Sequence, residues 1–484
     1  MPQKGFTRKY PPLKILSEEQ VNSIKRSSLD VLENVGIRFD SDKALGIFEA
    51  NRCKVNHKEK IVKIPPDIVE ESLRKSPSSF RLKSRDPKDD LIIGGDTLYF
   101  EASVGLGYWD IDTLESRPPT LEENNNGVKV LDSLGNIHCL LSYCPYMSIE
   151  DIPPALQLNV STASRLRYST KLSRTGHLAG SEKFAIRMAK VANMDLTISM
   201  ESTAPLNWSA DAIHSAFSAC EADLPVRITD GDVLGATGPG TISGGLVSGI
   251  AEVMSGIVLV NLIKPGAKVE ANNFVFPMEM RSGMPDLNSF TSQLHSAAFS
   301  QVFRTYDLPV VLATGQFGLA KNIGFQIGTE TAFSLLATAL AGANLINVGG
   351  GLHAELSWSP ELAVLEDDLA GAVGHFLNGI NIDDDRIGLD VIKKVGSSPG
   401  TFLGEGHTRK YWEKEFFVPK YYDRLPYKDW LNKGKKVELD IARDRVKEIL
   451  ETHEVSVPLT EEQDKEIDNI LEEAKMHYKK KGLL

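Results

Sequence analysis

Seven short β-rich runs in the middle of this sequence each end in side chains able to hold a small molecule. Tyr143, Cys144 and Tyr146 close the first run, and His177 the second. Glu201, Ser202, Asn207 and Trp208 follow the third, and Thr229 and Asp230 the fourth. Asn272, Asn273, Phe274 and Phe276 end the fifth. Thr314, Gln316 and Phe317 end the sixth, and His353 and Glu355 come after Gly349-Gly350-Gly351 at the seventh. Aromatic rings and neutral amides dominate, while Lys and Arg are scarce. A phosphoryl ligand calls for Arg or Lys donors and is not favoured. Ring faces suit a cation with no N–H to donate, each good contact contributing about 0.5–2 kcal/mol. The stretch GATGPGTISGG (235–245) is open to two readings. Its amides could cradle an anion at a helix start, or its glycines could admit close approach of backbone and ligand. The ten histidines are scattered, HExxH is absent, and Cys139 and Cys144 have only His138 nearby, so no bound metal is expected.

A scaffold must bring these ends together. The β-rich runs lie near 138–143, 171–177, 195–200, 226–229, 268–274, 310–314 and 345–348. Amphipathic stretches separate them at 182–192, 211–220, 246–263, 289–306 and 329–341. Alternating β and α units of this length predict a (β/α)8 TIM barrel, whose functional groups sit at the strand C-terminal ends. The eighth strand fits either 99–103 or 401–404. No GxGxxG follows the first strand and no GxxxxGK[ST] occurs, which weakens a nucleotide-binding fold. Residues 131–410 are assigned to the barrel and 1–130 to an N-terminal α+β cap. In the cap, Ser17-Glu18-Glu19-Gln20 reads as a capping box. A short helix at 41–50, a strand at 61–64, a helix at 67–75 and hairpins within 92–112 follow. Residues 411–484 form a C-terminal helical extension, with a second capping box at Thr460-Glu461-Glu462-Gln463.

Composition narrows the class. With 484 residues, 42% hydrophobic and 25% charged, the chain can bury a large core and is neither disordered, collagen-like nor a disulfide scaffold. The net charge of -11 argues against nucleic acid as a partner. Four cysteines without a CxxC pair read as reduced thiols of a cytoplasmic protein. The basic N-terminus lacks the apolar stretch of a secretory signal, and no membrane-spanning stretch is expected.

Several motifs carry a resemblance over nearly the full length. IVKIPPDIVEESLRKSPSSFRLKSRDP and GLGYWDIDTLESRPPTLEE come first, followed in order by APLNWSADAI, GATGPGTISGGL, EVMSGIVLVNLIKPGAKV, LAGANLINVGGGL and FLGEGHT. This ordered set resembles the trimethylamine:corrinoid methyltransferase superfamily. The resemblance implies a (β/α)8 barrel that moves a methyl group from a methylamine to the cobalt of a separate corrinoid protein. Trimethylamine enzymes of the family carry pyrrolysine in the barrel, whereas this chain uses only the standard residues. It therefore resembles the non-pyrrolysine branch, which acts on glycine betaine, proline betaine and carnitine. Where many members have an Asp-x-Lys-x-x-Asp-x-Gln-like run, this chain keeps Lys321 and Gln326 but has Leu319 and Gly324 at the acidic positions. An Asp-Met-Arg-like triplet is Glu279-Met280-Arg281.

The expected reaction is methyl transfer from glycine betaine to cob(I)alamin, which becomes methylcobalamin on its partner corrinoid protein. Dimethylglycine leaves as a neutral tertiary amine, so no general acid is required and no catalytic acid or base is assigned. Phe274, Phe276, Phe317 and Phe325 are assigned to the ammonium shell, with Tyr143 and Trp208 in reserve. Gln316, Gln326, Asn273 and His353 are assigned to the substrate carboxylate, with Arg281 as a further candidate. Two other classes stay open: a barrel lyase using Lys321 as a Schiff-base lysine, and a non-catalytic binder of quaternary amines. A homo-oligomer is expected from chain size alone.

Overall fold

The computed structural model describes residues 5–313 and 317–484. Eight parallel strands close on themselves: β1 (Thr97–Ala102), β2 (Cys139–Leu140), β3 (Leu172–Thr175), β4 (Leu196–Glu201), β5 (Val226–Thr229), β6 (Val269–Asn273), β7 (Val310–Leu312) and β8 (Leu345–Val348). β8 pairs back onto β1 with Leu345 opposite Tyr99 and Val348 opposite Ala102, completing a (β/α)8 barrel. The eighth strand is thus the first in the chain, and it falls within the first 130 residues. Thr97–Ala102 is nearly all buried, as a barrel strand covered on both faces must be.

Each strand is followed by one helix: α1 (Leu121–Ser133), α2 (Gln157–Tyr168), α3 (Glu182–Val191), α4 (Ala210–Ala222), α5 (Ile242–Ile263), α6 (Phe290–Arg304), α7 (Phe325–Leu340) and α8 (Pro360–Leu377). Local chemistry starts these helices. Thr120 and Glu123 form a capping box before α1, while Ser209, Thr241, Ser289 and Ser359 cap α4, α5, α6 and α8. α5 corrects one expectation, because it is long and apolar enough to cross a membrane. It is instead clamped between β5 and β6 on one side and the helices Glu18–Asp30 and Pro66–Lys75 on the other. A helix apolar all round is a core helix when both sides are covered.

The floor of the barrel is sealed. The hairpin of Ser79–Leu82 with Leu91–Gly94 drives Phe80, Leu82, Leu91 and Ile93 against Tyr99, Cys139, Leu172, Val311 and Leu345. Above them Arg227 of β5 bonds Glu101 of β1 and Glu270 of β6, each at 2.6 Å, with all three side chains buried. Two C-terminal helices wrap the outside: Glu438–Thr452 lies on α8 and α1, and Glu461–Lys480 on α3 and α2. The capping boxes at Ser17 and Thr460 form as read from the sequence.

Candidate active site at the barrel mouth

The opposite end of the barrel opens into a cavity of about 390 Å³, lined from β1 to β8 by strand ends and the loops behind them. That size is typical of a small-molecule site. Three rings chosen from the sequence meet here. Phe274 stands edge-on to Phe276 at 4.5 Å and to Phe317 at 5.6 Å between ring centroids. Phe274, Phe317 and Tyr143 line the cavity, while Phe276 is buried behind Phe274 and supports it.

The other expected residues lie elsewhere. Phe325 is 91% exposed at the first position of α7, so it cannot form part of an enclosed ammonium shell. Gln326 beside it is exposed and donates to Glu330 at 2.7 Å. Asn273 is buried beneath the lining, where its amide donates to Asp230 and its carbonyl accepts from Ser296. His353 sits against Trp109, 4.1 Å between rings, with Nδ1 3.1 Å from the Ser357 hydroxyl. Trp208 is buried in the cap sheet and donates to Ser255. Arg281 and Lys321 are exposed. Gln316 lies outside the described residues.

In their place the structure brings together His177, Glu201 and Glu355, which the sequence places at strand ends without a role, and Arg174, which the sequence reading did not name. Arg174, the third residue of β3, points its guanidinium into the mouth, with Nη1 3.8 Å from Glu201 Oε1. His177 Nε2 is 4.0 Å from Glu201 Oε2. Both are beyond hydrogen-bond distance. Arg174 Nε, His177 Nε2, the Ser142 hydroxyl and Asn272 Oδ1 are buried and have no hydrogen-bond partner. All four residues line the cavity. Buried polar groups are ordinarily paired, so four together at one cavity mark where a ligand would bond.

Glu355 enters from the β8 loop on an unusual backbone. His353, Ala354 and Glu355 have φ of 54°, 54° and 74°, three successive left-handed non-glycine residues. Such conformations cost on the order of 1–3 kcal/mol each and persist only where neighbours enforce them. The neighbouring loops do so: Ala354 N–H donates to Gly318 O, and Leu106 N–H to Glu355 O. Burial pushes the Glu355 carboxyl up to about 7, with the Glu201 charge adding and Arg174 opposing. Tyr143, also left-handed at φ 63°, has its hydroxyl pushed up to about 12 by burial.

In the cavity wall, burial holds Asp230 well above the usual carboxylate range, although it accepts from Phe274 N–H. Glu252, which accepts from Ser202 and Leu206 N–H, is pushed up to about 7 by burial. In the glycine-rich stretch the glycines let the chain pack closely on itself: a Cβ at Gly238 would lie 2.9 Å from Asp232 and one at Gly245 2.2 Å from Leu234, and at Gly249, just beyond it, one would lie 2.5 Å from Asp230 Oδ2. The amides of Gly349 and Gly350 bond the buried Glu366 side chain at 2.9 and 2.7 Å. Among the described residues no group of three or more His, Cys, Asp or Glu could hold a metal ion.

A closed barrel whose mouth is lined by rings together with Arg174, His177, Glu201 and Glu355 has the makings of a small-molecule site, and comparison with known proteins gives its class. The trimethylamine methyltransferase (MTTB) family profile matches residues 1–478, and the chain belongs to that family of methyltransferases. It is 30% identical over 432 residues to a glycine betaine methyltransferase of Desulfitobacterium hafniense (strain Y51), covering 87% of this chain and 89% of that protein. It is 28% identical to a trimethylamine methyltransferase MttB of Desulfitobacterium hafniense (strain DSM 10664 / DCB-2), covering 96% and 94%. The crystal structure of the Methanosarcina barkeri monomethylamine methyltransferase (MtmB) aligns with a TM-score of 0.48 at 12% identity, covering 89% of this chain and 92% of that one.

Proposed function

We propose that the enzyme moves a methyl group from glycine betaine to the cob(I)alamin of a separate corrinoid protein, releasing dimethylglycine. The observation carrying this reading is the pairing, in one cavity, of phenylalanine rings with unbonded buried donors. Arg174 Nε, His177 and the Ser142 hydroxyl suit a carboxylate. The faces of Phe274 and Phe317, with the Glu201 and Glu355 carboxylates, suit an ammonium that has no proton to donate. The similarity to a glycine betaine methyltransferase supports the same substrate. Proline betaine and carnitine share both groups and stay within the substrate class.

The chemistry needs little from the protein beyond position. The cobalt electron pair attacks the methyl carbon in line, the C–N bond breaks, and its electrons stay on nitrogen. No proton moves, so neutral dimethylamino nitrogen is a competent leaving group. The chain's own residues would hold the ammonium with one methyl facing the opening and exclude water from the reacting carbon. Contacts to the cation must be modest. The positive charge vanishes during transfer, and tight ground-state binding would slow it. A cavity of this size cannot swallow a corrin ring, so the acceptor would cover the mouth from outside. The four free, buried cysteines fit a reducing cytoplasmic setting.

The lyase reading loses support, because exposed Lys321 donates to the Leu319 carbonyl and no lysine lines the cavity among the described residues. The test is a spectroscopic assay with free cob(I)alamin, purified enzyme and a panel of betaines. Methylcobalamin is expected to form with glycine betaine and not with trimethylamine. Reaction with trimethylamine alone would overturn the substrate, and binding without methylation would leave a binder.

A further inference from the structure

Phe274 is the middle ring of the aromatic wall, edge-on to both Phe276 and Phe317. Its main chain sits where a strand ladder is interrupted. The pairing of β5 with β6 runs from Val226 opposite Val269 to Thr229 opposite Asn272, and a ladder resumes with Val233 opposite Phe276. In the gap the Phe274 N–H bonds a side chain: it donates to Asp230 Oδ1 at 2.7 Å. Two residues on, the Phe276 N–H donates to a main-chain acceptor again, Asp232 O at 3.2 Å. The loop after β5 therefore holds the segment that carries both rings, and at Phe274 it does so through one carboxyl.

That carboxyl is itself held from two further sides. Asp230 is 1% exposed. The Asn273 amide donates to its Oδ2 at 3.0 Å, and the same amide nitrogen lies 3.2 Å from the buried His295 ring. Oδ2 also rests on α5 at Gly249, where a Cβ would stand 2.5 Å from it and 3.3 Å from Cγ. A side chain at 249 would displace the carboxyl, so the bare helix backbone forms its seat. The nearby charges are those of Glu252 and Asp232, which oppose its ionisation and supply no counter-ion. An acid kept under that desolvation penalty, with its oxygens bonded to protein, points to a task other than contact with the ligand.

We infer that Asp230 is a positioning residue of the methyl-transfer site: seated on Gly249, it fixes the Phe274 main chain and with it the face that the Phe274 ring turns to the substrate ammonium. The link from ring to ammonium rests on the proposed function, whereas the link from Asp230 to ring does not. In-line attack requires the reacting methyl to be held in place, and a misplacement of about 1 Å costs on the order of a hundredfold in rate. A ring released from its anchor still offers an apolar surface, so turnover should suffer more than binding.

Fluorine NMR of the full chain labelled with para-fluorophenylalanine reads the ring without substrate. The Phe274 resonance, assigned by its loss in Phe274→Leu, should shift or broaden in Asp230→Ala, while phenylalanines away from the mouth keep their positions. Asp230→Ala should weaken glycine betaine binding about three- to tenfold by calorimetry and lower kcat with free cob(I)alamin on the order of a hundredfold. Asp230→Asn keeps an acceptor for the Phe274 N–H and should recover part of both. Asp230→Ala/Phe274→Leu should bind betaine no more weakly than Phe274→Leu alone, because the two changes remove one interaction. If Asp230→Ala does not fold, Gly249→Ala takes its place: it presses a methyl group on the carboxyl from a helix that favours alanine, and the Phe274 resonance should again move while kcat falls. An unmoved Phe274 resonance, or additive losses in the double variant, would overturn the inference. A wild type that transfers no methyl group, with the resonance moving as expected, would strike the functional reading alone.

Discussion

The two ends of the barrel hold the same kinds of ion in opposite states. At the floor, Arg227 is saturated: Glu101 and Glu270 bond it at 2.6 Å and the hairpin seals them from water. At the mouth, Arg174 and His177 reach Glu201 only at 3.8 and 4.0 Å and keep unbonded nitrogens. A buried ion pair with all its bonds made is a structural member. One left short of partners beside a cavity is held ready for a ligand. The difference is geometric and not compositional, since both arginines are buried barrel-strand residues.

The comparison breaks most readily at the floor. Arg227→Leu should destabilise the fold by about 3–5 kcal/mol, because two buried carboxylates lose their counter-ion; denaturant unfolding measures it. Arg174→Leu should change stability by less than about 1 kcal/mol while lowering kcat/KM for glycine betaine on the order of 30-fold, the worth of a charged hydrogen bond. Equal stability losses in the two variants would erase the distinction. Arg174→Lys should restore only part of the activity, because it keeps the charge without the planar fork.

Protonation sharpens the mouth further. With Glu355 near 7, a bound cation favours the ionised carboxyl. Betaine must displace that proton below pH 7, so affinity should rise roughly tenfold from pH 6 to pH 8 and then level off. Glu355→Gln should flatten the profile, which calorimetric titration across pH would reveal. Phe274→Leu keeps apolar bulk but removes the ring face, and should weaken betaine binding about three- to tenfold. The smallest effect is expected at Phe325→Ala, which should leave turnover with free cob(I)alamin within about twofold of wild type. A large loss there would return the α7 start to the substrate site.

Much of the barrel was legible because strand and helix periods are local. All seven β-rich runs correspond to strands, and the capping residues start helices where their spacing says they should. The first barrel strand was ambiguous because glycine-rich turns on both sides made Thr97–Ala102 resemble part of a hairpin meander. The site was legible only in part. Phe274 follows β6 directly, and Tyr143 and Phe317 come three and five residues after the ends of β2 and β7, close enough to the strand ends for strand position to bring them to the mouth. Phe325 and Gln326 lie beyond a longer loop after β7, and nothing in their spacing says that the chain turns outward before α7.

The sequence by itself determined the alternating β/α units, the caps, and the excess of rings and amides at strand ends, because these depend on neighbours a few residues apart. Only the tertiary structure decided which charges share the cavity. Barrel closure rotates Arg174 inward from β3, and three left-handed residues held by adjacent loops turn Glu355 toward Glu201. Both outcomes depend on contacts between segments far apart in the chain, and residue spacing carries no record of them.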